Sequence, residues 1–392
     1  MITGMGIISA IGTSVMENRE SLKNERSGIS ELELYSTAYA GILPCGEIKI
    51  TTEDLNKKLF ASPDPTITRT GLLVLHAAEE AVRDSALTHE QLTSMDTALV
   101  GATTVGGMCL TDEIFHDAHE KISGSPYTSS YDYASVTLVA QKRFGILGEI
   151  STINTACSSS ANAILFGARL IKHGFAKRAI VGGADSLAKF TINGFNALNI
   201  LSRERCAPFD RDRNGLNLGE GAAFLVLERE EDVKGKKVYA ELSGFGNSND
   251  AFHPSSISAE GEGPYLSMDE ALGRAGLNAT EISYINAHGT GTENNDETES
   301  RAMQRLFGTP PPFASTKSFT GHTLGASGAI EAVYSILGIV HQELYPSLQF
   351  KEPIPSTRFV PVKHYRQQAI QHVMSNSFGF GGNCTTLIFS KV

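Results

Sequence analysis

Positive charge and cysteine are both scarce in this chain of 392 residues. Lys and Arg number 33 against 43 Asp and Glu, a formal charge of −10. An acidic surface repels nucleic acid and anionic membranes, which argues against either as a partner. An acidic protein could still dock, but only on a local basic patch. The five cysteines, Cys45, Cys109, Cys157, Cys206 and Cys384, are scattered, odd in number and form no CxxC pair. That pattern argues against a disulfide framework and against a tetrahedral zinc site, so no metal is expected. The opening MITGMGIISAIG lacks the basic stretch of a signal peptide. No apolar run approaches the ~20 residues that span a bilayer. The expected compartment is the cytoplasm, with reduced thiols.

What is present suits a folded protein with a large core: 41% of residues are hydrophobic and 19% charged. The length suggests about two domains, because single cores stop growing beyond roughly 250–300 residues. Short apolar runs such as MITGMGIIS, TALVGATT, AIVGGAD and AAFLVLE read as strands. Longer stretches, of which Arg69–Leu87 is the clearest, carry helical periodicity. Their alternation predicts an α/β architecture with buried strands between helical layers. The charged EREEDVKGKK, Glu228 to Lys237, reads as a solvated connection between two halves, taken as 1–233 and 234–392. Each half starts and ends on apolar strand-like runs, which is compatible with a duplicated fold.

The chemistry-bearing segments lie in both halves. In EISTINTACSSSANAILFGARLI a β-like run meets Cys157 and a helical pattern starts just after it. A cysteine at a helix N-terminus feels the positive end of the macrodipole, which favours thiolate. INAHGTGTENND places His288 after an apolar strand, and STKSFTGHTLGASGAIEA places His322 just before a helix. Singly, each of the three more often serves a structural role. Together they suit acyl transfer: a thiolate attacks a thioester and imidazole N–H groups stabilise developing negative charge. Near the C-terminus, SNSFGFGGNC sets Phe378 and Phe380 among glycines that permit close approach to a ligand.

The ordered set TGMGIISAIG, NTACSSS, PFDRDRNGLNLGEGAA, NAHGTGT, STKSFTGHTLGASGAIEA and SNSFGFGG resembles the β-ketoacyl-[acyl-carrier-protein] synthase family, especially its elongating I/II branch. The resemblance spans essentially the whole chain. It implies a thiolase-like fold of two related halves in a five-layered αβαβα arrangement, and an acyltransferase acting by decarboxylative condensation in fatty acid biosynthesis. It also implies Cys157 as the acylated nucleophile, with His288 and His322 supporting malonyl decarboxylation and condensation. Lys317 would pair with Glu331 and orient the second histidine, His322. Phe380 would be the gating phenylalanine, its N–H joining that of Cys157 in the oxyanion hole. Asp296 and Glu299 would stand behind the site, Thr290 and Thr292 would bond the phosphopantetheine arm, and Phe195 and Phe378 would line the substrate path. No bound cofactor is implied, since the acyl carrier protein, acyl- or malonyl-loaded, brings the arm. A homodimer is implied, with a heterodimer of related subunits as an alternative. Gly381-Gly382-Asn383-Cys384 departs from the family's usual GGTN, and the loop NILSRERCAPFD is shorter than in typical synthase II enzymes. These departures keep a polyketide or aryl-polyene ketosynthase open as an alternative, along with a non-catalytic, chain-length-factor-like partner. Cys384 raises a further rival, a thiolase with a second catalytic cysteine.

Overall fold

A computed structural model describes all 392 residues. The first half supplies β1 (Ile2–Ser9), β2 (Thr97–Ala102), β3 (Ile150–Ile153), β4 (Arg178–Asp185) and β5 (Gly221–Glu228), which form a five-stranded sheet in the order β1-β5-β4-β2-β3. The second half supplies β6 (Glu241–Asn249), β7 (Tyr284–Asn286), β8 (Phe313–Ala314), β9 (His372–Phe378) and β10 (Asn383–Ser390), in the order β8-β7-β9-β10-β6. Counted from its own first strand, each sheet runs third, second, fourth, fifth, first. The pairings agree as well. The fifth strand runs antiparallel between the first and the fourth, and the fourth, second and third are parallel. The chain is a structural duplication whose halves share little visible sequence.

Six helices matter here: α1 (Arg69–Ser85), α2 (Ser159–Lys172), α3 (Lys189–Ala197), α4 (Glu262–Ala275), α5 (Glu293–Phe307) and α6 (Ser327–His341). Helix α1 covers the outer face of the first sheet, and α4, backed by α5, covers the outer face of the second. Between the sheets lie α2 and α6, which touch each other and both sheets. The result is a thiolase-like fold with five layers, αβαβα. Both faces of each sheet are covered, which is why β1, β4, β5 and most of β9 and β10 are buried end to end; β1, β4 and β5 read as largely apolar runs, whereas β9 and β10 also bury Ser375, Asn376, Ser377, Thr385 and Thr386.

Local signals explain the helix limits. Thr68 caps α1 by accepting from the Gly71 N–H, and the helix stops at Ser85, before the predicted Leu87, because Ala86 turns left-handed at φ 54°. Helix α6 is buried on every side down to Ile339, as a central-layer helix must be. With the turn before it, Leu324–His341 is long and apolar enough to cross a bilayer, contrary to the expectation of no such run, but 89% of it is enclosed by protein. The largest apolar cluster contains 41 residues drawn from both sheets, α2 and α6. The two cores expected from length are therefore joined through a common centre.

One device recurs in both halves. Gly4 and Gly6 of β1 face α1, and Gly244 and Gly246 of β6 face α4. A Cβ at Gly6 would lie 2.0 Å from the Ala77 carbonyl oxygen, and one at Gly246 would lie 2.1 Å from that of Ser267. The outer helices sit directly on strand backbone. Gly6→Ala should therefore destabilise the protein by about 1–3 kcal/mol or more, because the obstructing atom is main chain. A lowered thermal midpoint would show it; an unchanged midpoint would mean that α1 can shift outwards freely.

Candidate active site

Cys157 sits on the turn between β3 and α2, and His322 sits on the equivalent turn before α6, so the duplicated fold aims two helix N-termini at one place. The turn is tight: Ala156 holds φ at 53°, a left-handed conformation that costs roughly 1–2 kcal/mol for a residue with a Cβ. Its serines secure it. The Ser158 hydroxyl donates to the Thr155 carbonyl and to Asn383 Oδ1, and the Ser159 hydroxyl accepts from the Thr155 N–H. Gly379, after β9, presses against the same turn, where an added Cβ would meet the Thr155 carbonyl oxygen at 2.6 Å.

His288 follows β7 and is held from behind by α5. Glu299 accepts from the His288 and Gly289 N–H groups, and Asp296 accepts from those of Thr290, Gly291 and Phe209. His322 Nε2 lies 3.0 Å from Cys157 Sγ, and its Nδ1 lies 2.9 Å from the Ser327 hydroxyl. The two imidazoles meet edge to face with centroids 5.4 Å apart. The ligating atoms of Cys157, His288 and His322 all lie within 4.8 Å of one another.

Lys317 stands behind this trio. Its ammonium donates to the His288 carbonyl at 2.7 Å, approaches His288 Nδ1 at 3.3 Å and forms a buried ion pair with Glu331 of α6. The expectation that this pair orients His322 is corrected: Lys317 holds His288, and Ser327 holds His322. The trio opens into a cavity of 1060 Å³, which Thr290, Thr292, Phe195, Phe378 and Phe380 also line. Phe195 and Phe380 stack across it, 5.7 Å apart and 11° from parallel. Lys317, Glu331, Asp296 and Glu299 do not reach the cavity, so they position other groups.

The β-ketoacyl synthase N-terminal domain matches residues 1–233, and the β-ketoacyl synthase C-terminal domain matches 239–351. The chain belongs to the β-ketoacyl synthase family. This synthase is 33% identical to the 3-oxoacyl-[acyl-carrier-protein] synthase 2 of Vibrio harveyi, over 100% of this chain and 98% of that one. It is 32% identical to the Staphylococcus aureus protein of the same name, again over 100% and 98%. Among solved structures, the ishigamide ketosynthase/chain length factor superposes with a TM-score of 0.93 at 30% identity, covering 100% of this chain and 98% of that one. A ketosynthase in complex with its chain length factor from Xenorhabdus doucetiae gives 0.83 at 31% identity, with 100% and 97% covered. The chain is an acyltransferase-type condensing enzyme.

Electrostatics in the synthase site are set by burial. The Cys157 thiol is pushed up to about 11 by desolvation, against the pull of Lys317 and the Phe380 and Cys157 amides. The thiolate expected from the helix N-terminus is thus outweighed, and the resting sulfur keeps its proton. Burial, then the nearby Lys317 charge, holds both imidazoles well below the usual histidine range, so they are neutral. Burial raises Glu331 to about 7 despite Lys317, and raises Glu299 to about 7 despite its N–H donors.

Sequence reading missed three supports. Ser327 orients His322. Asn383 accepts from Ser158, Asn162 and Asn247, which ties β10 and β6 to the Cys157 turn. Asp185, at the end of β4, accepts from Thr103, Thr104, Val105 and Gly325, joining the two halves beside Cys157. A buried acid ending an apolar strand at the carboxyl edge of a sheet was the available signal. Cys384 does not line the cavity; its thiol donates to the Gly382 carbonyl and packs with Ile257 and Phe378, which removes the basis for a second catalytic cysteine.

Two outcomes follow from these contacts. Lys317→Met strands Glu331 without a partner and should cost about 3–5 kcal/mol of stability. The double change Lys317→Met with Glu331→Leu should recover most of the thermal midpoint and none of the condensing activity, because the donor behind His288 is still missing. Alkylation of Cys157 by iodoacetamide should keep accelerating above pH 9, where an ordinary thiol has largely levelled off, because its proton is lost only towards pH 11. A plateau by pH 9 would show that Lys317 and the amides outweigh burial.

Proposed function

We propose that this enzyme is a β-ketoacyl-[acyl-carrier-protein] synthase that condenses an acyl group on Cys157 with a malonyl group, releasing carbon dioxide. The observation that carries this reading is the convergence of one thiol and two neutral imidazoles in a single cavity. In the first half-reaction the Cys157 proton passes to His322 Nε2 as the sulfur attacks the carrier thioester. The tetrahedral oxyanion faces the Cys157 and Phe380 amides. The carrier thiol leaves with the proton that His322 returns.

The histidines then differ for a simple reason. An ammonium has no lone pair, so Lys317 at Nδ1 fixes His288 with its proton on Nε2, as a standing donor. The Ser327 hydroxyl can donate or accept, so His322 can take either tautomer: acceptor towards Cys157 in acylation, donor afterwards. When malonyl carrier enters, both N–H groups stabilise the enolate formed as carbon dioxide leaves. The enolate carbon attacks the Cys157 thioester, the β-ketoacyl carrier departs, and the released sulfur takes up a proton. Thr290 and Thr292, 2.8 Å apart along the cavity, are suited to bond the amides of the phosphopantetheine arm. The arm belongs to the carrier, and no resident cofactor enters the scheme.

Fatty acid elongation is the pathway we favour, supported by full-length likeness to the two synthase 2 enzymes. A polyketide role in partnership with a related subunit is the second reading. It is supported by the Xenorhabdus complex and by an uncovered surface. Strand β3 is a sheet edge, the helix Thr111–Glu120 buries no residue, and Phe115, Ile122, Leu138 and Leu147 are exposed nearby. A second subunit, identical or related, would cover this surface. A purely structural partner role has no use for the intact Cys-His-His trio.

Intact-mass measurement on the protein and on Cys157→Ala, each mixed with acyl carriers, tests the reaction. Adducts are expected on the native protein alone, and the best-loaded acyl group separates the pathways. No adduct from any saturated, unsaturated or aryl donor would sink the stand-alone synthase.

A further inference from the structure

Attack on a thioester puts negative charge on one oxygen, and donors that meet it are effective only when they stand in place beforehand. In the mechanism above those donors are the amides of Cys157, in the first half, and Phe380, in the second. Both donate towards the Cys157 sulfur. They lie more than two hundred residues apart in the chain, so no local turn sets the distance between them.

Phe380 sits on the loop Gly379–Gly382, which joins β9 to β10. The loop closes at its base: the Gly379 N–H donates to the Asn383 carbonyl at 2.8 Å, and the Gly382 N–H donates to the Gly379 carbonyl at 3.1 Å. Gly381 and Gly382 hold φ at 84° and 83°, which favours glycine at both. The outer side is held as well. The Gly381 N–H donates to Pro254, and the Asp250 N–H donates to Gly382, each at 2.7 Å. These bonds brace the loop within the second half, but none of them reaches Cys157.

Asn383 does. As the first residue of β10 it is fixed in the sheet opposite Asn249 of β6. Its main-chain oxygen holds Gly379, the residue before Phe380. Its side-chain oxygen lies 2.8 Å from the hydroxyl of Ser158, the residue after Cys157. One residue therefore touches a neighbour of each amide. The same Oδ1 accepts from Asn162 Nδ2 at 2.8 Å and from Asn247 Nδ2 at 3.1 Å, which anchors it from α2 and from β6. The two segments meet closely here, since a Cβ on Gly379 would lie 3.2 Å from both the Cys157 nitrogen and the Ser158 hydroxyl. Asn383 does not line the cavity, so it acts through its neighbours. It also stands where the loop departs from GGTN, so the bridging side chain is particular to this sequence.

We propose that Asn383 is the positioning residue of the oxyanion hole, holding the Cys157 amide in register with the Phe380 amide through Ser158 on one side and Gly379 on the other. The inference rests on the synthase reading above and adds the residue that spaces its two charge-stabilising donors. As the sulfur bonds to the thioester carbon, the carbonyl π pair moves onto oxygen and meets both N–H groups. The pair returns when the carrier sulfur leaves with the proton from His322. Alkylation of the same sulfur by iodoacetamide forms a C–S bond and expels iodide without any oxyanion, so it makes no use of that register.

These two reactions provide the test, on the full chain at one pH. Intact mass followed over time measures acylation of Cys157 by an acyl N-acetylcysteamine thioester and, separately, its alkylation by iodoacetamide. In Asn383→Ala acylation should slow by about tenfold to a hundredfold, with alkylation close to wild type. The retained alkylation rate also reports a folded site. Ser158→Ala should slow acylation in the same way, and the double variant should be no slower than the slower single, because both changes break one bridge. Unchanged acylation in Asn383→Ala, acylation and alkylation slowed together, or losses that multiply in the double variant would each overturn the role of Asn383 while leaving the synthase reading intact. A wild-type protein acylated by no thioester would instead overturn the synthase reading, and this inference with it.

Discussion

Lys317 keeps a positive charge where almost no water reaches, and the carboxylate it touches belongs to a helix of the central layer. Neither charge could be buried alone without a penalty of several kcal/mol, so the pair locks the turn carrying Lys317 to α6. Its remaining hydrogen bonds go to His288, on a third element. The ammonium therefore fixes where that imidazole stands and which of its nitrogens carries the proton. Much of the chemistry proposed for the site depends on that one protonation pattern.

Duplication explains why the parts meet at all. Each half delivers a turn between its third strand and a central helix, and the central helices pack side by side between the sheets. Cys157 occupies one turn and His322 the other, which places sulfur and imidazole in hydrogen-bond contact although 165 residues separate them in the chain. The second half adds His288 beside its parallel strand pair. The glycine pairs under the outer helices serve the same arrangement from outside, by letting α1 and α4 sit close against the sheets.

Burial also sets the tone of the chemistry. Desolvation keeps the thiol protonated and both imidazoles neutral, so the reacting trio itself carries no charge at rest, with the Lys317–Glu331 pair directly behind it. With both imidazoles neutral, their N–H groups are free for the charge that develops in the reaction.

Much of this was legible from residues alone. The apolar runs named many of the strands, because strands covered on both faces are largely apolar; β9, which buries Ser375, Asn376 and Ser377, shows no such run. Cys157, His288 and His322 stood out because each sits where a strand or loop gives way to a turn or helix. The α/β class, the candidate nucleophile and the ordered family motifs are thus properties of local sequence. What folding alone decided is which distant groups face each other. It gave Lys317 to His288 and Ser327 to His322. It set Asn383 against the Cys157 turn and Asp185 across the seam, and it let desolvation of Cys157 win over the helix dipole. Pairings of this kind depend on strand order and on the depth of burial, which are global quantities, and no short stretch of sequence carries them.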